Sequence, residues 1–199
     1  MLNVPEKSQT GRRVITVLVV AAALILQVSV ANRLPTPGGV QPDLVLLAVV
    51  ALALVSGSMT GMVTGFLAGL AADIVPPADH TLGRYALVYC LIGYLCGIAS
   101  AEMDRQSVVP FFAVAAGALA GTVLYAATGM ILGDPRAEWG TVSRMVPLQV
   151  VYDVVASPFV VWAVLRVTRK FERGERARGD RFSVPAARYR AMSGRSARL

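Results

Sequence analysis

Between Arg13 and Asn32 the chain runs from Val14 to Ala31, 18 residues without a charged side chain. At 1.5 Å per residue this makes about 27 Å of helix, close to the thickness of a bilayer's hydrocarbon core. A run of this kind has no polar face to offer water, so it does not belong on the surface of a soluble domain. Similar runs recur along the chain, and with 55% hydrophobic and only 16% charged residues they read as an all-α integral membrane protein. Ser29-Val30-Ala31 has the small residues of a signal-peptidase site, but the length of the run and the apolar segments that follow favour a retained first helix.

The breaks between runs predict a six-helix transmembrane bundle with segments at about 14–31, 42–56, 58–75, 82–99, 108–132 and 144–167. Pro35, Pro37, Gly38 and Gly39 make 32–41 a loop, and Pro42 with Asp43 opens the second segment. Proline at a first helical position loses no hydrogen bond, and an acid beside it favours the positive end of the helix dipole. Leu44 to Val55 gives only about 18 Å, so 42–75 reads as a helical hairpin that either spans or re-enters. In both cases it leaves on the side it entered.

Three segments carry small residues four apart. Gly61, Gly65 and Gly69 lead to Asp73 in the third; Gly93 and Gly97 follow Tyr85 and Tyr89 in the fourth; Gly117, Gly121 and Gly129 flank Tyr125 in the fifth. On a helix each set is one stripe, and glycine stripes let backbones approach closely in lipid, where dispersion must replace the hydrophobic drive. The third segment, with its stripe ending in a carboxylate, is expected to be the packing centre.

Helix rise places Asp43 and Asp73 at similar depths at the open end of the 42–75 hairpin, so Pro42, Asp43, Asp73, Arg84 and Tyr85 gather there as a candidate partner groove. In the last segment Gln149, Asp153 and Ser157 share a face, and Pro158 frees a backbone carbonyl. Asp153 lies about 13 Å from Arg144 along the axis, so it is expected to face the bundle interior, as a hydrogen-bonded structural aspartate.

The net charge of +7 is concentrated at one end: Arg166 to Leu199 hold 11 basic and 3 acidic residues, and the remaining 165 residues hold 8 and 9. A basic segment following a membrane helix is an anchor for anionic lipids rather than a nucleic-acid arm, since each basic residue near such a surface contributes roughly 1 kcal/mol. Residues 168–199 therefore read as an irregular cytoplasmic tail. Together with Lys7, Arg12 and Arg13 in the 1–13 segment, it places both termini in the cytoplasm by the positive-inside rule. Cys90 and Cys96 stand six apart on different faces of one helix, and His80 lies in a polar connector beside Asp79. No catalytic, cofactor or metal-ligating set follows from this pattern.

Pro42-Asp43-Leu44-Val45-Leu46-Leu47, Gly65-Phe66-Leu67-Ala68-Gly69-Leu70-Ala71-Ala72-Asp73 and Leu82-Gly83-Arg84-Tyr85-Ala86-Leu87, in this order and spacing, resemble the bacterial rod shape-determining protein MreD family. The resemblance implies a non-enzymatic multi-pass subunit of the cell-wall elongation machinery in the cell membrane. Its implied partners are the single-span protein MreC and, with it, MreB filaments and the peptidoglycan synthases. It also implies a likeness to the six-helix substrate-binding components of energy-coupling-factor transporters. The family's last helix has an amide near its proline where this chain has Asp153 before Pro158. Two functions follow as expectations: a scaffold whose groove receives the MreC helix, or a vitamin-binding transporter component with Tyr85, Tyr89 and Tyr125 as aromatic contacts.

Overall fold

The computed structural model describes residues 6–75, 82–102, 109–133 and 139–182. The connector with Asp79 and His80, the polar turn around Asp104 and Arg105, the loop with Arg136 and the basic residues after Phe182 lie outside the described residues. The described chain is helical: α1 (Glu6–Ser29), α2 (Leu44–Ser56), α3 (Ser58–Ile74), α4 (Arg84–Glu102), α5 (Val109–Ile131) and α6 (Trp139–Phe182). Two short 3-10 turns, Ala31–Arg33 and Pro37–Gly39, lie between α1 and α2. Three stretches, Gly11–Arg33, Phe112–Ile131 and Val142–Phe171, are long and apolar enough to cross a membrane.

The centre of the bundle is α2, not the glycine-striped α3. Every residue from Val45 to Ala53 is buried, and α2 touches each of the other five helices. Around it the contacts run in a ring from α1 to α3, α4, α5, α6 and back to α1. The physical reason is legible in the two sequences. LVLLAVVALALV is apolar on every side, the pattern of a helix enclosed on every side. A stripe of glycines marks one face and therefore one close neighbour. For α3 that neighbour is α4, and the rest of α3 shows Met59, Val63, Phe66, Leu67 and Ile74 outward.

Successive helices run up and down. The Arg12 guanidinium, near the start of α1, donates to the Val55 carbonyl at the end of α2 (2.8 Å), and Gln27 near the end of α1 meets Pro42 and Leu44 at the start of α2. Gly57, with φ +85°, turns α2 directly into α3, a conformation that favours glycine. Gly121 rests on Leu46 and Gly117 on Val50, so α5 runs against α2. At the far end Asp153 of α6 meets Asp43, and Val161 and Val164 join the core below it. The described chain thus starts and ends at the end of the bundle that holds Arg12.

The α3–α4 seam is backbone on backbone. A Cβ on Gly61 would overlap the Gly93 carbonyl and one on Gly93 the Gly61 carbonyl; at Gly65 it would meet the Tyr89 carbonyl, at Gly69 the Tyr85 carbonyl, and at Gly97 the backbone of Ser58. This is the closeness that missing side chains permit in lipid, where Cα–H groups facing carbonyls add weak attraction. Gly129 is also buried.

Two expectations about α6 are corrected. The helix begins at Trp139 rather than at about 144, and it continues from the membrane segment to Phe182, so residues 168–182 are not irregular. Arg, Lys, Glu and Ala are good helix formers, and once α6 is nucleated in the membrane each added residue gains a hydrogen bond without a new nucleation cost. Pro147 and Pro158 lie inside the helix. Pro158 cannot donate to the Val154 carbonyl, and the Ser157 hydroxyl takes its place at 2.8 Å.

Candidate functional site

The polar groups of the bundle collect where α2 begins. A helix start leaves N–H groups without partners, and in a bilayer water does not supply them. Side chains from three helices do so here. Asp43 caps its own helix, accepting from Leu46 N at 2.9 Å. Gln27 of α1 accepts from Leu44 N at 2.8 Å and donates to the Pro42 carbonyl at 3.0 Å. Asp153 of α6 accepts from Asp43 N at 2.7 Å. The second oxygen of Asp43 accepts from the Tyr89 hydroxyl of α4 at 2.5 Å. Four elements of the bundle, α1, α2, α4 and α6, are therefore keyed to one depth through these bonds.

Asp153 is fully buried, as the sequence led one to expect of an aspartate that cannot face lipid. Its Oδ2 makes no hydrogen bond among the described residues. Thr122 lies beside it, but the Thr122 hydroxyl donates its one hydrogen to the Ala118 carbonyl at 2.9 Å. Gln149, one turn earlier on α6, is half-buried. The structure sets Asp153 against the backbone of Asp43.

Asp73 performs the same task for α4. It is fully buried, with Oδ2 accepting from Gly83 N (2.9 Å) and Ala86 N (3.1 Å) and Oδ1 from Tyr85 N (3.2 Å). A carboxylate from the last turn of α3 is thus the N-terminal cap of α4, and it pins the top of the glycine seam. Arg84 is 6% exposed and donates to the Tyr125 carbonyl through Nε (3.1 Å) and Nη2 (2.6 Å). Its guanidinium carbon stands 3.6 Å from the centre of the Tyr125 ring, which stacks on Tyr85 at 4.4 Å. Tyr85 and Tyr89 in turn approach to 5.4 Å.

Pro42, Asp43, Asp73, Arg84 and Tyr85 are therefore joined at one end of the bundle by a path through Tyr89 and Tyr85. Their polar atoms are engaged with helix termini and with one another. Pro42, Asp43 and Tyr85 are half-buried, and Asp73 and Arg84 are buried. Tyr85, Tyr89 and Tyr125, read as possible ligand contacts, form a packed aromatic group with Arg84. Sequence reasoning missed Gln27 and Thr122. A glutamine near the end of an otherwise apolar run was the available signal for Gln27, because a polar residue at that depth needs a partner. Thr122 gave none, since a threonine in a membrane helix can satisfy itself on the preceding turn.

Residues 7–165 match the family described as rod shape-determining protein MreD. No curated protein and no solved structure matches the chain.

Proposed function

The chain belongs to the rod shape-determining protein MreD family, and from that premise we propose that it is a non-enzymatic membrane scaffold of the cell-wall elongation complex, holding an MreC-like single-span protein. The family match over 7–165 carries this reading, and the construction of the bundle supports it. Asp43, Asp73, Asp153 and Gln27 terminate helices, and the glycine stripes hold α3 to α4. These are the features of a rigid body that presents a shape.

The end of the bundle with Pro42, Asp43, Asp73, Arg84 and Tyr85 is the proposed docking place for the partner helix. Through that partner the protein acts with MreB filaments and the peptidoglycan synthases. Both termini lie on the cytoplasmic side in this reading, which is supported by Arg12, Arg13, Arg166, Arg169 and Lys170 falling at the end where the described chain starts and finishes. The basic residues there are the proposed contact with anionic lipid. The likeness to energy-coupling-factor components remains an expectation of topology, and no observation favours the transporter reading.

The test is capture of co-expressed MreC-like protein by the detergent-solubilised chain, with size-exclusion chromatography establishing that the bait is folded. Stable co-elution is expected, and Tyr85→Ala should reduce it while leaving the elution position of the bait unchanged. A monodisperse bait that captures no partner removes the scaffold reading. An undiminished capture by Tyr85→Ala moves the docking place elsewhere on the bundle.

A further inference from the structure

The outward apolar belt of this bundle has two heights. On α3 the exposed apolar side chains run from Met59 to Ile74, about 22 Å of helix. On α4 they run from Leu82 to Ile98, no more than about 24 Å. On α5, by contrast, the belt from Phe112 to Ile131 measures about 29 Å, and on α6 the stretch between Arg144 and Arg166 about 30 Å. In the ring around α2 the two short belts are neighbours, and so are the two tall ones. A hydrocarbon core of about 30 Å matches α5 and α6 and overshoots the α3–α4 side by about 6–8 Å.

Polar groups close the short side at both edges. At one edge the Ser56-Gly57-Ser58 turn joins α2 to α3, and the Arg12 guanidinium binds the Val55 carbonyl. At the other edge Asp73 is bonded to the backbone that opens α4. Non-helical backbone such as these two turns is not tolerated in contact with lipid tails, so water and headgroups must come down to their level.

We propose that the α3–α4 side holds the surrounding bilayer thinner than the α5–α6 side does, so that the protein stands at a step in membrane thickness and its short face is covered by lipid drawn thin. A tall helix can tilt into a thin bilayer, which α6 with its 30-residue apolar stretch is able to do. A short helix packed backbone to backbone cannot lengthen. The membrane therefore adapts to α3 and α4, whose seam is backbone on backbone.

The test uses the full chain in vesicles of equimolar dimyristoleoyl and dierucoyl phosphatidylcholine, with bromine on the acyl chains of one lipid or the other, and tryptophan fluorescence as the readout. One protein carries Leu67→Trp on the outer face of α3, where Leu67 is 57% exposed, with Trp139→Phe and Trp162→Phe. The second carries Trp139→Phe alone and reports from Trp162 on α6. Quenching of the Leu67→Trp protein should be about twofold stronger or more when bromine is on the short-chain lipid, and Trp162 should show no such preference. Equal quenching by both lipids at Leu67→Trp overturns the proposal, as does an equal short-chain preference at both positions. Weak quenching by either lipid at Leu67→Trp means that protein, such as a second copy, covers the face, and this also overturns it. Thermal unfolding matched to the parent qualifies the variant; Phe66→Trp, also exposed, serves if Leu67→Trp does not fold.

Discussion

Replacing Gly65 by alanine puts the packing of the α3–α4 seam to a direct test. The new Cβ would overlap the Tyr89 carbonyl oxygen, lie 2.6 Å from the Tyr89 carbonyl carbon and 3.1 Å from Cys90 N. All three atoms are backbone, and none can rotate away. Restoring ordinary contact requires α3 and α4 to part by about 1 Å, a gap that forfeits a quarter to a half of the dispersion energy of each atom pair it opens. The same movement opens the seam at Gly61, Gly69, Gly93 and Gly97, because the two helices are rigid rods. Overpacking costs about 1–3 kcal/mol, and this site belongs at the upper end; the better helix propensity of alanine returns at most about 1 kcal/mol. The net expectation is a loss of about 2 kcal/mol, read as the free energy of unfolding in mixed micelles titrated with denaturing detergent. Two companions calibrate it. At Gly121 the obstacle is the Leu46 Cδ2 methyl at 2.6 Å, the end of a side chain that can turn, so Gly121→Ala should lose less than about 1 kcal/mol. At Gly140 nothing lies within 4 Å, and alanine there should be neutral or slightly stabilising. A Gly65→Ala protein within about 0.5 kcal/mol of the parent, or a larger loss at Gly121 than at Gly65, refutes the account of the seam.

Asp73→Ala leaves Gly83 N, Tyr85 N and Ala86 N without their acceptor and should destabilise by about 3 kcal/mol or more, seen as a large fall in thermal midpoint in detergent. Asp153→Asn keeps an acceptor for Asp43 N and replaces the unpaired Oδ2 by an N–H donor beside Thr122, so its stability should equal or exceed that of the parent, whereas Asp153→Ala should lose about 1–3 kcal/mol. Tyr89→Phe removes only the hydroxyl bonded to Asp43 and is expected to cost about 1–2 kcal/mol in the same unfolding assay. Leu47→Ala, at a fully buried position of α2, should cost about 2–4 kcal/mol even though lipid replaces water outside, because the cavity it leaves has no atoms to fill it.

The sequence by itself determined the class of molecule, the number of helices in the bundle and the end at which the polar residues gather. Those features depend on run length, on breaks such as Ser56-Gly57-Ser58, and on the 1.5 Å rise, all of which are local. It also marked Gly61, Gly65 and Gly69 as a close contact, since spacing of four is local too, but it could not name the surface they touch. Which helix lies inside the ring, which acid caps which helix, and that Gln27 and Asp153 both serve the first turn of α2 were decided by the tertiary structure. The pairings that join one helix to another run from 10 residues apart for Asp73 and Gly83, through 17 for Gln27 and Leu44, to 110 for Asp43 and Asp153. The requirement that drives those pairings is readable in advance: a helix that starts within a membrane must find acceptors for its free N–H groups. Which residue supplies each acceptor depends on how five helices are arranged around one, and no periodicity in the sequence encodes that arrangement.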